Sequence, residues 1–358
     1  MESKLRLFYF GINAPTKSAR DSVYIEALKE SGVRILECVD SSPSIKKYLQ
    51  LIRKHREVRG QYDVIFVGHM SALVVPLARM LSSKPIIFNA LNPLYDGIVL
   101  ERKIHSPFSL GAIGIWLVDV LSLNCSHKVL LETNVQIDSV HKKFWVPLRK
   151  LVRLWTTVDP EVYKIDSTVP KSSRFMCIFR GFLTHVTGAE YVVEAAELLK
   201  KEDVVFRFIV RGDFLPVVQK MIQEKGLTNI ELCTEFYSFE ELRKLISAGH
   251  IYLGQFSDHE RLERTIQFKT IEALSFGLPY ITSDLPSNRE LLHGGVDALL
   301  VPRANSQAIA DAIVKLKNDP ALQKSMGEAA QALYKKELEP SVLANQIVSI
   351  ARSLEGKV

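Results

Sequence analysis

The stretch FKTIEALSFGLPYITSD, residues 268–284, ends one element, breaks sharply and opens a buried strand. Residues 268–276 have helical character. Gly277 stops the helix in a left-handed cap, and Pro279 cannot continue it. Tyr280, Ile281 and Thr282 are aromatic or β-branched and read as a strand. One residue does not fit a purely structural reading. Glu272 places a carboxylate between Ile271 and Ala273-Leu274, on a helix wedged into a core.

Working outward, short apolar runs alternate with helical patterns along all 358 residues. Strands are expected at 5–10, 33–38, 64–67, 85–89, 128–131 and 151–154, then at 175–179, 204–210, 230–233, 251–253, 280–282 and 298–301. Between them lie amphipathic stretches such as GAEYVVEAAELLKK, where Val192, Ala195, Ala196 and Leu199 recur at helical spacing. Near-continuous apolar strands alternating with helices argue for parallel sheets covered on both faces. The polar segment 159–173 carries two prolines and breaks the periodicity. The fold class is therefore α/β, with two doubly wound Rossmann-like domains facing a cleft. The expected domains are 1–160 and 173–338, with a closing helix over 340–355. The first strand is followed by GINAPTKS and no G-x-G-x-x-G, which counts against a dinucleotide oxidoreductase.

Composition bounds the partners. The chain is 47% hydrophobic and 24% charged, as globular proteins are. Its formal charge of +6 suits anionic ligands or an anionic membrane surface and is too weak to argue for nucleic acid. Cysteines at 38, 125, 177 and 233 form no CxxC pair, so neither zinc nor a disulfide framework is expected. No acidic pair or His/Cys cluster reads as a metal site. The opening MESKLRLFYFG runs into a strand without the marks of a signal peptide, so a cytoplasmic location is expected. The apolar stretch 108–120 carries Asp119 and falls short of the roughly 20 residues of a membrane span. It reads as a buried helix.

In open α/β sheets, ligands bind beyond the carboxyl ends of the strands. That directs attention to His69, Asn89, Asn92, Gly181, His185, Arg211 and the segment 257–269. There a resemblance appears. GFLTHVTGAEYVVEAAELL, FRFIVRGD, FKTIEALSFGLPYITSDLPSNRELL and VDALLVPRANSQAIADAIVKLKNDP resemble, in order and spacing, the donor-binding domain of GT-B-fold glycosyltransferases, the group containing family 4. The likeness covers about residues 174–330; YDVIFVGHMSALVVPLARMLSSKPIIFNA is similar more loosely. The closing helix resembles one that crosses back onto the first domain.

The resemblance implies a glycosyltransferase moving a sugar from a nucleotide-diphosphate sugar to an acceptor hydroxyl, in glycan, glycolipid or polysaccharide biosynthesis. It implies retention of configuration, no metal and no separate cofactor. It also implies that Glu272 accepts hydrogen bonds from the ribose hydroxyls; a carboxylate, an acceptor-only group, can take both. The structural alternative pairs Glu272 with Lys269, one turn earlier. Two departures stand out. The first of the family's two glutamates is Arg264 here, and the usual diphosphate-binding cations fall on Phe182 and Thr187. The expectation is a relocated clamp. Arg264 and Lys269 flank one helix N-terminus, whose amides and dipole suit a phosphate. Arg261, Arg180 and His185 are secondary candidates. The expected catalytic residues are His69, Arg264 and Lys269. The expected donor-binding residues are Gly181, His185, Arg211, Arg264, Lys269 and Glu272. His69 is read either as a contact or base for the transferred sugar or as a helix-capping histidine. Asn89 and Asn92 stand where many relatives carry a histidine. The base is expected near Phe236-Tyr237, read by backbone groups.

Residues 142–155, KKFWVPLRKLVRLW, hold five basic residues and no acid. They fit either peripheral contact with the inner face of a membrane, in keeping with a lipid-linked acceptor, or a loop into a core strand. Two other functions remain open: another GT-B nucleotide-sugar enzyme of epimerase type, and a non-catalytic scaffold with a decayed donor site.

Overall fold

The computed structural model describes residues 5–355; the first four residues of MESKLRLFYFG lie outside them. The described residues form two compact units, one of 5–157 with 340–355, the other of 158–339.

The first unit holds strands β1 (Arg6–Gly11), β2 (Arg34–Val39), β3 (Val64–Val67), β4 (Ile86–Leu91), β5 (Lys128–Leu131) and β6 (Leu151–Arg153). They form one parallel sheet in the order β2-β1-β3-β4-β5-β6. The order reverses between β1 and β3, so the crevice of this sheet opens beyond their carboxyl ends. Phe8, Phe10, Ile65, Val67 and Phe88 fill one face of its core. The helix Pro340–Arg352 buries Leu343, Ala344, Ile347 and Ala351 and packs against the helix Ala19–Glu30.

The second unit holds β7 (Phe175–Phe182), β8 (Val204–Arg211), β9 (Ile230–Cys233), β10 (Ile251–Leu253), β11 (Tyr280–Ser283) and β12 (Ala298–Val301). Its order, β12-β11-β10-β7-β8-β9, is again all parallel. Counted from β7, this is the 3-2-1-4-5-6 arrangement of a Rossmann sheet, with its switch point between β7 and β10. Phe179 and Phe208 pack at 5.0 Å between ring centres in its core. All the expected strands are present; five keep the expected bounds and the ends of the others shift by one to three residues, most in β7, where Arg180–Phe182 continue the ladder with β8.

The opening stretch folds as a helix Phe268–Phe276 running into β11. Gly277 caps it at φ 63, a left-handed conformation a side chain would strain. The polar segment after residue 158 is held by the second unit. Tyr163 is buried edge-on to Phe268 and Phe276, at 6.0 and 6.3 Å, and Ser275 Oγ donates to its carbonyl at 2.5 Å.

One expectation is corrected. The apolar stretch 108–120 is not a buried helix. The helix Leu110–Cys125 buries only Ala112, Asp119, Ser122 and Leu123, while Leu110, Ile113, Leu117 and Leu121 are exposed. The helix covers one side of a single sheet layer, and its far side has no layer of its own to meet. No helix among the described residues is long and apolar enough to cross a membrane.

Candidate functional site

At the switch point of the second sheet lies a cavity of about 360 Å³. The ends of β7 and β8 supply Arg180, Gly181, Phe182 and Arg211; the helix Phe268–Phe276 supplies Lys269 and Glu272. Parallel strands end on one edge, and the return helix begins there, so the fold itself brings these distant residues together.

Glu272 is fully buried. The Arg180 guanidinium pairs with its Oε1, and the Tyr252 hydroxyl donates to Oε2 at 2.7 Å. A carboxylate withdrawn from water needs such partners. The pairing with Lys269 offered by helical spacing is thus replaced by one with Arg180, 92 residues away. Burial alone would lower the Arg180 pKa; the charge of Glu272, with Tyr252, outweighs it and the net shift is upward. Burial, reinforced by Glu272, holds the Tyr252 phenol well above its ordinary range. It also pushes Tyr163 up to about 12.

Lys269 is 6% exposed, and its Nζ makes no hydrogen bond among the described residues. The amine sits 4.3 Å from the centre of the Phe179 ring and beside Gly181, where an added Cβ would stand 3.5 Å from Nζ. Its pKa falls to about 7. Burial is the main cause; Glu272 pushes back upward, and Arg180 pushes further down. An amine so placed is costly unless an anion arrives.

The remaining expected residues divide. Gly181 and Arg211 line the same cavity. The Arg211 guanidinium lies 3.6 Å over the ring of Phe236, which is itself exposed, and Tyr237 lines the cavity next to it. His185 and Arg264 are not among the lining residues. His185 is exposed and edge-on to His259 at 5.6 Å. Arg264 is half-buried and closes the short turn Glu260–Glu263 ahead of the helix.

His69 belongs to the first unit, just past β3. Its backbone N–H donates to Asp21 Oδ2 at 2.8 Å, and its Nδ1 lies 3.2 Å from the Ala90 carbonyl. Asp21 also accepts from Tyr9 at 2.8 Å and from Asn89 at 2.5 Å. Burial lowers the His69 pKa, so the ring is neutral at neutral pH. A neutral ring with its proton on Nδ1, toward the carbonyl, leaves a lone pair on Nε2. Asn89 is therefore a partner of Asp21, and Asn92 accepts from Gln136 at 3.3 Å.

Sequence reading missed Tyr252 and Phe179 as parts of the site. The only signal for Tyr252 was a phenol inside an apolar strand, which must find a partner when buried. Phe179 carried none, since an aromatic in a core strand is ordinary.

Residues 174–319 match the family model described as glycosyl transferases group 1. A curated relative, the alpha-D-kanosaminyltransferase of Streptomyces kanamyceticus, is 25% identical over 63% of this chain. The chain spans 60% of that relative's length. Among solved structures, Anabaena Alr3699/HepE in complex with UDP superposes with a TM-score of 0.74 at 15% identity, covering 98% of this chain and all of that one. The sucrose-phosphate synthase (tll1590) of Thermosynechococcus elongatus superposes at 0.77 and 14% identity, covering 99% of this chain and all of that one. At such identities the superpositions speak for the fold, and the family match speaks for the second unit. Residues 174–319 thus resemble the glycosyl transferases group 1, and the chain has the GT-B fold of two Rossmann-like domains.

Proposed function

We propose that the protein is a glycosyltransferase that moves a sugar from a nucleotide-diphosphate sugar to an acceptor hydroxyl, with retention and without a metal. The carrying observation is Lys269, a buried amine without a hydrogen-bond partner, lining the cavity that also holds Arg180 and Glu272. As the bond from the anomeric carbon to the diphosphate oxygen breaks, negative charge builds on the departing phosphate. A preorganised cation in a dry site stabilises that charge most where it develops. Lys269 is assigned this role, with Arg264 ahead of the same helix as its companion. Glu272 is assigned to the ribose. Its two oxygens offer about four acceptor positions, of which Arg180 and Tyr252 occupy two. Gly181, His185 and Arg211 complete the donor-side assignment, and Tyr237 places backbone groups near the base.

The acceptor, a carbohydrate or lipid-linked hydroxyl, is assigned to the first unit, where His69 offers Nε2. The acceptor proton passes to the departing phosphate oxygen as the new bond to the anomeric carbon forms. The setting is glycan, glycolipid or polysaccharide synthesis at the cytoplasmic face of a membrane.

The test is thermal unfolding with UDP, GDP, ADP, dTDP and CMP, each with and without magnesium. A ligand that binds only the folded state raises the midpoint by mass action. UDP is the first choice, being the nucleotide bound in the Anabaena structure. A rise with one diphosphate, independent of magnesium and absent in Lys269→Met, is expected. No rise with any nucleotide would leave the decayed-scaffold reading in its place.

A further inference from the structure

We infer that the exposed face of the helix Leu110–Cys125, with the turn after the helix Asn134–Phe144, is a docking surface for an anionic lipid bilayer. It stands on the first unit alone and does not depend on the donor reading.

Apolar exposure is concentrated here. Leu110, Ile113, Leu117 and Leu121 recur at three- and four-residue steps and share one side of the helix. Leu110 is 89% exposed, and Phe108, just ahead of the helix, is 92% exposed. Trp145 and Leu148 extend the surface from the neighbouring segment. That segment is tied to the helix: Trp116 packs edge-on to Trp145 at 5.2 Å, Trp116 Nε1 donates to the Lys143 carbonyl at 3.3 Å, and Lys150 Nζ donates to the Asn124 carbonyl at 2.5 Å. Trp145 is held at φ 55, a left-handed conformation unusual for a bulky residue, and is 69% exposed. A tryptophan held outward suits the boundary between headgroups and acyl chains.

Charge selects the occupant. Between residues 102 and 155 the chain carries Arg102, Lys103, Lys128, Lys142, Lys143, Arg149, Lys150 and Arg153 against three acids. Two of those acids, Asp119 and Glu132, are buried, leaving Asp138 exposed. Arg102, Lys103, Lys142 and Arg149 are exposed cations on the segments that flank the apolar stripe. An apolar stripe bordered by cations matches an anionic bilayer surface, where lipid charge and acyl chains are met together. The helix does not qualify as a span. It would lie in the interface, its stripe entering the acyl boundary.

The experiment is co-flotation of the full chain with vesicles of phosphatidylcholine alone or mixed with phosphatidylglycerol, at low and high salt. Flotation is expected with the mixed vesicles and is weakened by salt. The double variant Leu117→Glu/Leu121→Glu should lose at least about tenfold in partitioning. Arg149→Glu should lose less, and only at low salt. Unchanged circular dichroism and unfolding midpoint would show that the variants fold. No flotation with either vesicle overturns the inference. So does a double variant that floats like the parent, or a concentration-dependent dimer that the double variant breaks without any vesicle binding. The dimer would assign the face to another copy of the chain.

Discussion

Lys269 and Glu272 sit three residues apart on one helix and do not pair, because Arg180 has taken the carboxylate. The consequence is a buried, unpaired amine whose pKa is lowered to about 7. The unfolded chain then binds more protons than the folded one between about pH 7 and the ordinary lysine value near 10.5. By linkage, ligand-free stability rises with pH across that window and is lost as pH falls toward 7. Lys269→Met should raise the ligand-free stability at pH 7 by roughly 1–3 kcal/mol, flatten this slope, and abolish nucleotide binding. Calorimetric unfolding at several pH values checks all three. A bound diphosphate should draw a proton onto the amine, so affinity should weaken above about pH 7 by up to tenfold per unit. Titration calorimetry in buffers of different ionisation enthalpy would detect the uptake. Arg180→Met leaves Glu272 with Lys269 as its nearest cation. It should cost about 3–5 kcal/mol by breaking a buried pair, and it should raise the Lys269 pKa, readable as slower pH-resolved acetylation of that residue. A fold still intact with Lys269 unchanged would separate the two side chains.

At the scale of elements, helix ends were the most legible features. The Gly277 cap follows from local backbone rules alone. The start of the helix Phe239–Ser247, which the sequence reading did not single out, rests on a local rule of the same kind. There Ser238 accepts from the Glu241 amide at 3.3 Å, and Glu241 accepts from the Ser238 amide at 2.8 Å. Ser238→Ala should cost about 1 kcal/mol, measured by urea unfolding, because it removes one acceptor from this reciprocal pair. Helix faces were less legible. The apolar run 108–120 announced burial, yet one side of that helix faces outward. Hydropathy counts apolar residues, and a single sheet layer can cover only one side of a helix. The π-helical turn Tyr334–Leu338, ahead of Pro340, likewise shows only in the fold.

At the scale of the whole molecule, the last helix belongs to the unit that begins the chain. Its buried Leu343 and Ile347 each contribute about 1.5–3 kcal/mol of apolar burial. A chain ending at residue 339 should therefore lower the unfolding transition of the first unit by several degrees. The transition of the second unit, and its response to nucleotide, should stay in place. Differential scanning calorimetry with and without UDP distinguishes the two transitions. A single transition lowered as a whole would mean that the units unfold as one.

The alternation of buried strands and amphipathic helices was written in the sequence, because parallel strands covered on both faces must be apolar runs and their connections must be helices. From it came every strand of both sheets, with Gly181, Arg211 and Lys269 near strand ends; the break at 277–279 was read from Gly277 and Pro279, and Glu272 from its place among apolar residues, its role implied by the resemblance. Tertiary structure alone decided who meets whom. The partner of Glu272 is Arg180 at the end of β7, and the withheld partner of Lys269 follows from that choice. Local spacing favours pairs one turn apart, but the cost of burying a charge is settled by whichever group the folded sheet brings to it.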